Sequence, residues 1–171
     1  MGLFSQMLDD ERIISRLKNS KKVLLLTCPG CSCESLSYSL GLPNRSLAQG
    51  KNMEESAVAI HLMRVRWEEI IKKAGKEVRH ISIAFPCEMY ETDREYIRNS
   101  VGDVDTIAIL ACSSGFLGIR DMFKGRNLNF VPMMKTSGTF VFQLITDESG
   151  EHSIVDRESA RIVRFSESSA F

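Results

Sequence analysis

No stretch of the 171-residue chain is apolar for long enough to span a bilayer. The first ten residues lack the basic n-region and the apolar core of a secretory signal, and Gln6 stands where an N-myristoylation motif needs Ser or Thr. A cytoplasmic protein with no membrane partner is the expectation. Surplus charge is missing too. Lys plus Arg and Asp plus Glu both number 22, so no general field draws the chain to nucleic acid or to an anionic surface. There is no phosphate loop, no G-x-G-x-x-G and no Ser–His–Asp arrangement, which leaves nucleotide binding and hydrolysis without a motif. Internal repeats and low-complexity segments are absent as well.

Cysteine is what the chain has: Cys28, Cys31, Cys33, Cys87 and Cys112. An odd number without an export signal argues against a disulfide framework. Clustered cysteines in a reducing compartment point to metal binding or redox chemistry.

The chain reads as one domain over 1–171, with an α/β core at 22–133 and a β extension at 134–171. Residues Ser5 to Asn19 carry Met7, Leu8, Ile13, Ile14 and Leu17 at helical spacing. Lys22 to Thr27 is a short continuous apolar run, as in a buried parallel strand. Pro29 to Lys51 turns small and polar and reads as a long functional loop. Met53 to Ala74 steps by threes and fours and predicts one helix, capped by Asn52 and closed by Gly75. Val78 to Phe85 and Thr106 to Ala111 are further strands. Thr92 with Glu95 reads as a capping box opening a short helix, and Ser113 or Ser114 as the cap of another. Phe130 to Met133 is a short edge strand limited by Pro132. Thr139 to Thr146 and Ser153 to Phe165 read as antiparallel strands around a turn at Glu148–Gly150. This alternation predicts an α/β, three-layer flavodoxin-like or Rossmann-like parallel sheet with a C-terminal antiparallel extension.

On that reading Cys28, Cys87 and Cys112 each follow the carboxyl end of a strand, and Cys31 and Cys33 sit in the loop leaving the first strand. All five thiols share the edge where open α/β sheets bind ligands. Thiolates are soft ligands for zinc, copper(I) and iron–sulfur clusters. Cys28-Pro-Gly-Cys31 has the spacing that lets two thiolates reach one centre. Four ligands would be Cys28, Cys31 or Cys33, Cys87 and Cys112. Buried filler is a fair reading for Cys112 alone, which follows Ile-Leu-Ala, but a poor one for three cysteines among Pro, Gly and Ser. A dithiol-exchange motif would open a helix directly. A long loop after Cys31 places dithiol exchange, in a thiol redox protein using Cys31 and Cys33, third behind a structural zinc-binding module. His61, His80 and His152 read as structural.

The order of motifs carries a resemblance. A strand ends in clustered cysteines, a Gly-Lys start leads a long helix, and Pro86-Cys87-Glu88 and Leu110-Ala-Cys112 follow. From Lys22 to Pro132 this resembles the methylenetetrahydrofolate reductase C-terminal-like domain, in some bacteria the small iron–sulfur subunit beside a flavin-dependent reductase. The resemblance implies an iron–sulfur cluster, of the 4Fe-4S type, on Cys28, Cys31 or Cys33, Cys87 and Cys112. It also implies a larger flavoenzyme partner in one-carbon metabolism, and a non-catalytic, electron-transfer or accessory role. Cys33 departs from the pattern, following Cys31 more closely than the next loop cysteine of that family does.

Overall fold

A computed structural model describes residues 2–165. Its centre is a four-stranded, wholly parallel sheet in the order β4-β2-β5-β6, formed by Glu77–Ser82, Lys22–Thr27, Thr106–Leu110 and Asn129–Pro132. The side chains of β2 alternate between two cores, as the period of two requires. Val23 and Leu25 face one cluster with Ala108, Leu110 and Val131. Leu24 and Leu26 face the other with Ile107 and Ile109.

Helices α1 (Asp10–Leu17) and α4 (Val58–Lys73) cover the first cluster with Ile13, Leu17, Ile60, Met63, Trp67 and Ile71. Helices α5 (Glu91–Val101) and α6 (Ser113–Met122) cover the second with Ile97, Val101 and Ile119. The molecule is therefore mixed α/β around a parallel sheet, with antiparallel sheets beside it.

Those outer sheets draw on more of the chain than a C-terminal extension. β1 (Gly2–Met7) and β10 (Arg161–Arg164) flank β7 (Met134–Val141), all antiparallel. β3 (Arg45–Ser46) pairs with β9 (His152–Val155), which forms a hairpin with β8 (Leu144–Thr146). Residues 166–171 of the expected extension lie outside the described residues.

Four local readings change. Ser5 to Met7 belongs to β1, not to the first helix, and Phe4 of this strand packs edge-on against Phe140 and Tyr38. The expected loop from Pro29 contains a helix, α2 (Cys31–Leu40). The long helix breaks at Ala57, whose ψ of 89° separates α3 (Met53–Ser56) from α4. There Ala57 makes an antiparallel bridge to Arg45. Asn52 caps as expected, accepting from the Glu54 and Glu55 amides at 2.9 Å each. The next cap moves by two: the Tyr90 amide donates to Asp93, so α5 begins at Glu91.

Candidate metal centre

Cys28 follows β2 and Cys112 follows β5, the two central neighbours of the parallel sheet. From β2 the chain leaves for β4 on one side, then returns past β2 to β5 on the other. That reversal falls at the carboxyl ends of β2 and β5, the usual ligand position in open α/β sheets. The Cys28 amide donates to the Leu110 carbonyl at 3.1 Å, so the ladder still joins both strands at the cysteines. Cys28 and Cys112 are each 4 % exposed.

Cys31 is the first residue of α2, after Gly30 at the N-cap. Its sulfur lies against Gly2, where a Cβ would come within 3.1 Å of Sγ. Strand β1 reaches this point because Ser35 clips it to α2: the Ser5 amide donates to Ser35 Oγ, which donates on to the Leu3 carbonyl, both at 3.1 Å.

Cys87 arrives on the loop after β4. Phe85 there has φ of 56°, the left-handed region that a bulky residue rarely occupies. Its ring covers Gly30, where a Cβ would lie 3.1 Å from the ring edge. The following Pro86 is seated on α6 through two glycines: a Cβ at Gly115 would press on the Pro86 ring at 2.9 Å, and one at Gly118 would collide with the Pro86 carbonyl. Two glycines inside one helix each cost roughly 1 kcal/mol against alanine, and close passage of the Cys87 loop is what they permit.

Cys33 turns away from the other four cysteines. Residues i and i+2 of a helix face different directions. Cys33, fully buried, donates from its thiol to the Asn44 carbonyl at 3.2 Å and packs in the α4-side core. The exchange of Cys31 for Cys33 that a loop would allow is closed to a helix. The helix also removes the reason for placing dithiol exchange last, because Cys28-Pro-Gly-Cys31 does open a helix. Electrostatics now argues against that chemistry.

Burial pushes the Cys28 thiol up to about 12, with Cys112 and Cys31 adding to the rise and the Gly30 and Phe85 backbones opposing it. Burial also raises Cys112, against the Gly115 backbone and with Cys31 adding. Cys87 is exposed as a residue, yet loss of water around its thiol raises it too, followed by Cys112 and Cys31. A reactive cysteine needs a lowered pKa, and these three thiols are held protonated. The mutual influences tie Cys28, Cys31, Cys87 and Cys112 into one neighbourhood. Burial raises Cys33 as well, but its neighbours are Ile60, Arg45 and Glu34 rather than the other sulfurs.

The donor set suits a thiophilic centre. Its four soft sulfurs come from four places in the chain, and Gly2 of β1 leaves room at Cys31. Ser32, wholly buried in the first turn of α2, has no hydrogen-bond partner for its hydroxyl among the described residues. As the side chains stand, no group of three or more His, Cys, Asp or Glu residues is close enough to hold a single ion among the described residues.

The histidines lie elsewhere. His80 Nε2 meets Thr27 Oγ1 at 2.9 Å, and burial, with Arg64 adding, pushes its pKa down to about 4. His152 pairs with Asp147 at 3.1 Å, and His61 meets Arg64 at 3.2 Å. Gly115 and Gly118 were legible as a site signal, since two glycines three apart in a helix after a strand-end cysteine imply close backbone approach. Gly2 and Phe85 carry no sequence signal. No helix among the described residues is long and apolar enough to cross a membrane. Comparison of the chain with family models, curated proteins and solved structures gives no match.

Proposed function

We propose that Cys28, Cys31, Cys87 and Cys112 hold an iron–sulfur cluster of the 4Fe-4S type, on a doubly wound, flavodoxin-like sheet. The observation that carries this reading is placement: Cys28 and Cys112 follow neighbouring strands joined at the Cys28 amide, Cys31 opens α2, and the Cys87 loop is seated on the helix that Cys112 caps, while Cys33 turns away. A single zinc would need its four sulfurs at about 2.3 Å from one centre. A cluster binds its thiolates at separate irons and so accepts a wider spacing. The backbone amides that favour the thiolate at Cys28 and Cys112 would also tune the cluster's potential.

The cluster would move electrons or lend structure, with no bond-making chemistry on this chain. The order of motifs from Lys22 to Pro132, which resembles the small iron–sulfur subunit of methylenetetrahydrofolate reductases, is the support for the proposed partner: a larger flavoenzyme of one-carbon metabolism, in the cytoplasm.

Anaerobic reconstitution with iron and sulfide tests the cluster. Four irons and four sulfides per chain, with broad visible absorption lost on reduction, are expected. Stoichiometric zinc with no iron uptake would replace this reading with the structural zinc module. Co-purification of a flavoprotein from the native host tests the partner separately.

A further inference from the structure

Beside the thiols, along the open edge of the parallel sheet, lies a pocket of about 270 Å³ with a composition the cluster reading does not use. Its rim carries Arg12 and Arg16 from α1 and Lys135 from β7, and its wall includes Phe116 of α6 and Met134. No carboxylate lines it. Among the described residues, none of the three cations has an acidic partner in an ion pair.

Two elements thus bring three uncompensated cations to one concavity. Arg12 and Arg16 stand at i and i+4 on one face of α1, where like charges repel. Arg16 suits the C-terminal end of its helix, but Arg12 and Lys135 have no such account. Guanidinium groups match carboxylates and phosphates with paired hydrogen bonds. An apolar wall with a few convergent polar groups is the ordinary form of a small-molecule site, and this volume lies just below the usual range of such sites, which suits a small ligand.

The edge itself argues for a small molecule over an added strand. The Asn129 and Met133 amides donate inward to the Asp105 and Ile109 carbonyls at 2.9 and 3.0 Å. By alternation, Phe130 and Pro132 point their backbone nitrogens outward, and Pro132 has no hydrogen to give. A partner strand would find its ladder interrupted after one donor. The first amide of α6, at Ser113, is already taken by Thr136 Oγ1 at 2.8 Å, so the cations must supply the recognition.

We propose that this pocket binds a small organic anion, a carboxylate or phosphate ester on an apolar body about one ring in size. The anion would meet Arg12, Arg16 and Lys135, and the ring would lie against Phe116 and Met134. The proposal does not rest on the cluster, and apo protein is expected to bind as well.

Titration of the full chain by calorimetry or NMR, with benzoate, phenyl phosphate, inorganic phosphate and benzyl alcohol, tests it. Benzoate or phenyl phosphate should bind once per chain, and the tighter of the two identifies the headgroup. Benzyl alcohol and inorganic phosphate should each bind at least about tenfold more weakly than the better probe, because each offers half of the match. Arg12→Gln and Lys135→Gln should each weaken the better probe by about tenfold, and Phe116→Ala should weaken phenyl phosphate more than inorganic phosphate. The two cations are exposed, so their variants should keep the wild-type Tm. Absence of binding at about 10 mM probe, equal binding of inorganic and phenyl phosphate, or unchanged affinity in both cation variants would overturn the proposal.

Discussion

Gly118 of α6 lies directly beneath the carbonyl of Pro86, so closely that any Cβ at 118 would collide with it. Because Cys87 is the next residue, this contact fixes how near its thiol comes to Cys112 at the start of the same helix. Gly118→Ala must push the loop away, since a backbone carbonyl cannot rotate aside as a side chain can. The expected cost is about 1–3 kcal/mol of stability, with most of the reconstituted iron lost. Gly125→Ala is the control. It strains a φ of 89° in open surroundings and should lower Tm while leaving metal content intact. Equal metal in both variants would show that the Cys87 loop is not needed for binding.

The five cysteines should divide four to one. Serine is a poorer ligand for soft metals, so Cys28→Ser, Cys31→Ser, Cys87→Ser and Cys112→Ser should each lose the cluster after anaerobic reconstitution. Cys33→Ser keeps a donor for the Asn44 carbonyl in nearly the same volume. It should retain full metal and cost about 1 kcal/mol of stability. Loss of metal in Cys33→Ser with retention in Cys31→Ser would reverse the assignment.

The parallel strands were legible because β2 and β5 are buried on both faces, so their apolar runs end sharply at Cys28 and at Ala111-Cys112. Helix α2 was hidden for the opposite reason. Ser32, Cys33, Ser35, Leu36 and Ser37 are all buried, so the segment shows no polar face against an apolar one. Serine also prefers turns when judged alone. The break at Ala57 left no mark either, because Met53, Ala57 and Ile60 keep helical spacing through it; Arg45, twelve residues away, makes the bridge there. Strand β1 was masked by Met7 and Leu8, which fit the period of α1 but face other partners. Cys28 and Cys112 stand just past strand ends as the apolar runs indicate, whereas Cys87 lies five residues beyond β4 and the different directions of Cys31 and Cys33 needed the helix that composition concealed.

Stability should fall on the acid side through His80. Its folded pKa is pushed down to about 4, below the ordinary 6.5, by burial first. The unfolded chain therefore binds this proton more readily, and stability decreases as pH falls from about 6.5 towards 4. Allowing for partial access of water to the ring, the loss is of the order of 1–2 kcal/mol. His80→Gln can still meet Thr27 Oγ1 and should flatten this part of the profile in urea unfolding at several pH values. An unchanged slope in the variant would assign the acid loss to other groups.

Metal binding should release protons in a number that counts the thiols engaged. Ligand cysteines bind as thiolates, yet Cys28 is pushed up to about 12 and Cys87 and Cys112 are raised by burial and by one another. At neutral pH these three carry their protons, and each must give one up to a metal. With zinc as a probe, the logarithm of the binding constant should rise between pH 6 and 7.5 by about three or more per pH unit. Calorimetry in buffers of different ionisation enthalpy gives the same count independently. Cys33→Ser should leave the slope unchanged, whereas Cys112→Ser should lower it by about one. A site confined to Cys28-Pro-Gly-Cys31 could release no more than about two protons. A wild-type slope of two, unmoved by Cys112→Ser, would therefore remove Cys87 and Cys112 from the centre and leave a local pair at the mouth of α2.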